Sequence, residues 1–116
     1  MPTIQNRVLA VSLLALASLV LAGCPGRENI AAINRDPGRY KGKQITIAGK
    51  VTNSFGAMGT GVFEVDDGTG RIWVFSKGYG VPSQDATVAV AGVVEQGFAF
   101  GGRNFATILR ETEPRR

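Results

Sequence analysis

Histidine is missing from this chain of 116 residues, and cysteine occurs once, at Cys24. The first absence removes the commonest general base near neutral pH, the usual partner of a nucleophilic serine and the commonest metal ligand. The second excludes an intramolecular disulfide and a four-cysteine zinc site, so the chain folds without staples. A dense block of charge is missing too. Thirteen basic residues face nine acidic ones, a formal net charge of +4, and the charges read as spread along the chain. That sign favours anionic partners such as phosphate backbones or lipid headgroups, and an ordinary solvated surface accounts for it equally well. Other catalytic signals are lacking. Ser76, Ser83 and Thr87 have no lysine at a spacing that marks a nucleophile and its base. Glu64, Asp66 and Asp67 form the only carboxylate cluster but lack the further oxygen ligands of a calcium loop, and no glycine-rich stretch carries the Gly-Lys-Ser or Gly-Lys-Thr of a phosphate loop. The expectation is one small domain with no catalytic residues, no cofactor and no metal.

One long apolar run is present. Arg7 supplies a positive charge after a polar or mixed start, and Val8 to Val20 is then almost unbroken Val, Leu and Ala with two serines. The run is shorter than the ~20 residues a permanent membrane span needs and suits the core of an export signal. Leu21-Ala22-Gly23-Cys24 follows directly, and this tetrapeptide resembles the lipobox of bacterial lipoproteins. The resemblance implies diacylglyceryl transfer to the Cys24 sulfur, cleavage between Gly23 and Cys24, and often acylation of the new amino terminus. Two or three acyl chains make such an anchor stable, whereas one alone is marginal. Residues 1–23 are then a cleaved signal peptide and 24–28 a lipid anchor with a short tether. The protein is expected to be exported and held by lipid on the cell membrane or the outer membrane, on the periplasmic face where there are two membranes. Pro25, in place of aspartate, points to the outer one. Arg27, Arg35, Arg39, Lys41 and Lys43 lie near the anchor and read either as headgroup contacts or as exposed charges flanking a turn.

Asn29 to Asn34 suits a short helix, closed by Asp36-Pro37-Gly38. From Gln44 onward the pattern turns to period-two alternation broken by glycines, which predicts five strands: Gln44 to Asn53, Val62 to Asp66, Arg71 to Ser76, Ala86 to Gln96 and Asn104 to Glu111. Asp66-Asp67-Gly68-Thr69-Gly70 is a tight hairpin turn. The glycine-rich stretches Ser54 to Gly61, Lys77 to Asp85 and Gly97 to Arg103 read as loops. Two strands carry a glycine at the same point, Ile45-Thr46-Ile47-Ala48-Gly49-Lys50-Val51 and Val88-Ala89-Val90-Ala91-Gly92-Val93-Val94, as expected where a curled sheet bends. Alternation places Ile45, Ile47, Val51, Phe63, Val65, Ile72, Val74, Val88, Val90 and Val94 inside and Lys50, Arg71, Trp73, Phe75 and Lys77 outside. In the last strand Phe105 and Leu109 compete with Ala106 and Ile108 for the interior. Residues 112–116 read as a flexible basic tail.

The order Gly49-Lys50-Val51, variable loop, Phe63 to Val74 with its Asp67-Gly68-Thr69-Gly70 hairpin, loop, Val88 to Val94 is similar to nucleic-acid-binding domains of the OB-fold family. The resemblance implies a mostly β, five-stranded OB-fold-like barrel over residues 29–111, preceded by a short helix. The chain departs from the family in having no room for a helix between the third and fourth strands; Asn29 to Asn34 would cap the barrel instead. In OB-folds the ligand face surrounds strands two and three and the loops between strands one and two and between four and five. On this sequence that face would hold Lys50, Phe55, Met58, Arg71, Trp73, Phe75, Phe98, Phe100 and Arg103. The aromatic members either clamp a planar ligand, at about 1–3 kcal/mol per stacked base, or fold back to plug the barrel. The expected role is a non-catalytic envelope binding module for a protein, glycan or small molecule; the alternative is single-stranded nucleic-acid binding.

Overall fold

The computed structural model describes residues 27–115. The expected export signal, Cys24 with its expected lipid, and Arg116 lie outside the described residues. Two short helices, α1 (Ile30–Arg35) and α2 (Pro37–Tyr40), precede five strands: β1 (Gln44–Ala57), β2 (Thr60–Asp66), β3 (Arg71–Lys77), β4 (Thr87–Phe100) and β5 (Arg103–Glu111). The chain is mostly β. The strands close on themselves as a barrel in the order β1-β2-β3-β5-β4. Neighbours are antiparallel except β3 and β5, whose short parallel ladder from Trp73↔Ile108 to Phe75↔Arg110 closes the ring.

All ten residues expected inside are buried together, joined by Ile30, Ile33 and Leu109. Strict alternation carries this result, because successive side chains of a strand point to opposite faces. Gly49 and Gly92 stand where one strand passes between two partners. Gly49 pairs with Val88 just before β1 turns to Asp66 of β2, and Gly92 pairs with both Ile45 and Glu111. A Cβ on Gly49 would lie 2.3 Å from the Asp66 carbonyl oxygen, and one on Gly92 would lie 2.4 Å from that of Arg110.

Helix α1 closes one end of the barrel with Ile30 and Ile33. Its first amide is not capped by the preceding Asn29; the Ile30 N–H donates instead to Asp67 Oδ2 at 2.9 Å, from the β2–β3 turn. Ala31 N–H donates to Thr69 Oγ1 at 3.2 Å, and Asn34 Nδ2 donates to the Arg71 carbonyl at 2.7 Å. One tight turn thus serves as hairpin and as helix cap. Burial pushes the Asp67 carboxyl up, but the Ile30 amide, the Thr69 hydroxyl and amide and the Gly70 amide outweigh it and hold the group below its ordinary value. A lowered value in the folded state means that this stabilisation is complete above the pH where an unfolded aspartate titrates. It is lost as acid carries the pH down through the lower, folded value. Asp67→Ala is expected to cost about 1–2 kcal/mol near neutral pH and to flatten the acid side of the stability curve. Urea midpoints at neutral and acid pH check this, and equal midpoints for the two proteins at neutral pH would refute it.

Three expectations are corrected. Asp36-Pro37-Gly38 ends α1, but Pro37 then opens the single turn of α2, since its fixed φ suits a first helical position. The stretches Ser54 to Gly61 and Gly97 to Arg103 are not loops: β1 and β2 pair out to Ala57↔Thr60, and β4 and β5 out to Phe100↔Arg103. Each hairpin turns on two residues of positive φ, Met58 and Gly59 at 56° and 79°, Gly101 and Gly102 at 61° and 80°. That backbone matches the twist of the strands it joins and lets the ladder continue to the tip. The carboxyl-terminal tail is docked as far as Arg115, whose side chain is 14% exposed and paired with buried Glu111.

Candidate ligand face

Two local irregularities bring apolar side chains to the outside of the barrel. Between Val51↔Val65 and Asn53↔Glu64 the register of β1 slips by one, leaving Thr52 as an extra residue. Such a bulge reverses the inside–outside parity of everything after it. Phe55, odd-numbered like Ile45, Ile47 and Val51, therefore leaves the core and joins outward Val62, its partner across the ladder. In β4, Gly97 at φ 71° separates Val94, in the core, from Phe98 and Phe100, which face the same outer cluster as Phe55.

The result is a second apolar cluster. Val62, Phe105 and Ile108 are buried in it, and Phe55, Trp73, Phe75, Phe98 and Phe100 are half-buried around them. Phe75 lies 4.7 Å from Phe98 and 5.3 Å from Phe100 between ring centroids. Phe55 lies 6.0 Å from Trp73, edge to face, and 6.3 Å from Phe100, while Trp73 lies 5.5 Å from Phe105. Tilted pairs of this kind contribute about 0.5–1.5 kcal/mol each beyond the area they bury. The Arg103 guanidinium sits over three of the rings, 5.3 Å from Trp73 and 5.7 Å from both Phe55 and Phe105. Cation–π contacts at such exposed positions are worth about 0.5–1 kcal/mol. Rings from both hairpins thus meet the outward side chains of β3.

Of the nine residues expected on a ligand face, Phe55, Trp73, Phe75, Phe98, Phe100 and Arg103 come together. Met58 stands alone and fully exposed at the β1–β2 turn. Lys50 pairs with Asp85 at 3.7 Å, an exposed contact of little energetic weight. Arg71 is held by Asp66 at 3.2 Å and Glu64 at 3.9 Å, beside the cluster. Phe105 and Ile108 were not expected to belong. Their place follows from β5, where Leu109 takes the core position and Ile108, opposite Trp73, takes the outer one. The rings do not fill the barrel ends. Ile30 and Ile33 pack into the core from α1, Val81 packs against it from the β3–β4 loop, and the Arg115 guanidinium lies 5.1 Å from the Phe63 ring. Among the described residues no three acidic side chains gather where a metal ion would be held.

No family model and no curated protein matches the chain. Among solved structures it is similar to an OBody, AM3L09, bound to hen egg-white lysozyme, at 18% identity and a TM-score of 0.49, over 65% of this chain and 81% of that one.

Proposed function

We propose that the chain is an exported lipoprotein, anchored through acylated Cys24, whose barrel is of the OB-fold type and works by contact with a protein, glycan or small-molecule ligand of the cell envelope. The strand order β1-β2-β3-β5-β4, with glycine corners in β1 and β4, supports the fold assignment. One observation carries the binding role. The phenylalanine and tryptophan side chains left out of the core collect around the outer face of β3, with arms from the β1–β2 and β4–β5 hairpins, under Arg103. In OB-folds that is the ligand face. Nucleic acid is disfavoured by the same geometry, since stacking bases needs free ring faces and these rings tilt against one another and against Arg103.

The lipidated protein, cross-linked in its own cells and recovered, should bring down a specific partner. Phe98→Ala should reduce that recovery at least about tenfold, the loss of a single well-packed anchor of roughly 1.4 kcal/mol or more, while the barrel stays folded with its unfolding midpoint lowered only by the loss of the Phe75–Phe98 contact. Undiminished recovery would make the rings packing alone. Trp73, the only tryptophan, reports ligands directly. Labelled single-stranded oligonucleotides should leave its fluorescence and their own anisotropy unchanged at low salt; steeply salt-dependent binding would replace this reading with the nucleic-acid one.

A further inference from the structure

The positive charge of the mature chain is segregated rather than spread. Residues 27–43 carry five cations against two acids, whereas residues 44–115 carry six against seven. Arg27, Arg35, Arg39, Lys41 and Lys43 are all exposed. Among the described residues none of the five enters an ion pair, while Lys50, Arg71, Arg110 and Arg115 each meet a carboxylate. Backbone contacts gather the segment. Glu28 N–H donates to the Thr46 carbonyl at 2.9 Å, and Gly42 N–H donates to that of Val94 at 2.9 Å. The Tyr40 hydroxyl donates to Glu28 at 3.5 Å, which ties α2 to the segment lying on β1 at Thr46, while the turn after α2 lies on β4 at Val94.

Position adds to charge. Cys24 precedes Arg27 by three residues, which reach no further than about 11 Å. Met58 lies beyond the other end of β1, after roughly 45 Å of extended strand before its bends. We propose that the strip formed by Arg27, Arg35, Arg39, Lys41 and Lys43 binds the anionic phospholipid headgroups of the anchoring bilayer and fixes the barrel with its β1–β2 turn pointing away. The proposal rests on the lipid-anchor reading of Cys24, and the two fail separately. Unpaired cations give up no internal partner on reaching the membrane, and each strengthens binding to an anionic surface about fivefold.

Gly38→Cys and Met58→Cys test it. A Cβ at position 38 meets nothing within 4 Å, and Met58 is fully exposed. With the Cys24 sulfur acylated, the introduced thiol alone takes up a maleimide fluorophore. In vesicles of mixed phosphatidylcholine and phosphatidylglycerol with acceptor-labelled headgroups, energy transfer should be several-fold stronger from position 38 than from 58. The difference should shrink in pure phosphatidylcholine and in high salt. Equal transfer from both positions, or a difference indifferent to lipid charge, overturns the proposal. If mass spectrometry finds the Cys24 thiol free, the anchor reading fails, and the strip is read from flotation of the full chain with anionic vesicles. Joint replacement of Arg35, Arg39 and Lys43 by glutamine should then weaken flotation about a hundredfold, and absence of flotation by the unsubstituted chain overturns the strip.

Discussion

Replacing Arg115 by alanine is expected to lower the unfolding free energy by about 3–5 kcal/mol, the cost of leaving a buried charge without its partner. The Glu111 side chain is completely buried, and Arg115 Nη1 donates to its Oε1 at 2.5 Å. Arg115 Nη2 donates to the carbonyls of Tyr79 at 3.2 Å and Gly80 at 2.8 Å. Among the described residues Glu111 Oε2 has no hydrogen-bond partner, and neither has the Ser76 hydroxyl on the adjoining strand. Glu111 is therefore already under-solvated, and Arg115 is its compensation. Against a total stability of about 5–15 kcal/mol for a domain of this kind, the loss is severe. Double replacement of Glu111 and Arg115 by methionine should recover most of it, because an apolar pair of similar volume is often no worse than a buried ion pair. Urea unfolding followed by Trp73 fluorescence measures both, and a shift below about 1 kcal/mol for Arg115→Ala would show that Glu111 finds water instead.

Gly92→Ala should cost at least about 3 kcal/mol, the upper end of ordinary overpacking. The obstacle is a backbone carbonyl that cannot rotate aside, together with Leu109 Cγ at 3.1 Å from the added atom. Gly49→Ala should behave alike. Gly68→Ala makes the informative contrast, since Gly68 has φ 87° and open space around it. It tests conformation without crowding and should cost about 1 kcal/mol. If the three substitutions prove equal, the barrel corners are roomier than described and the strands bend for another reason.

Much of this fold was legible in the chain because alternation and glycine placement act locally. A valine or isoleucine every second residue fixes which face is buried, and paired glycines at Gly49 and Gly92 announce a curl. The helix before β1 and the absence of one between β3 and β4 were readable in the same way. What escaped depends on single-residue events with distant effects. The extra residue at Thr52 moves Phe55 from one face to the other, and the left-handed Gly97 precedes the arm that carries Phe98 and Phe100 to the outer cluster. Thr52 looks like any other strand residue and Gly97 like the glycines that follow it, so the stretches beyond them passed for loops. The assembled rings were named individually, but Phe105 and Ile108 could be assigned only once β5 had its parallel partner. Asp67 and Arg115 act across 37 and 35 residues, on Ile30 and Gly80. No periodicity encodes such contacts.

The interior cluster and the outer aromatic one have no residue in common. Substitutions at Phe98, Phe100 or Arg103 thus weaken the outer cluster but leave the interior one untouched. Side-chain replacement should therefore be tolerated more readily at the outer rings than in the interior, whereas Gly56 and Gly61 of the first hairpin, like Gly49 and Gly92, leave no room for a methyl group.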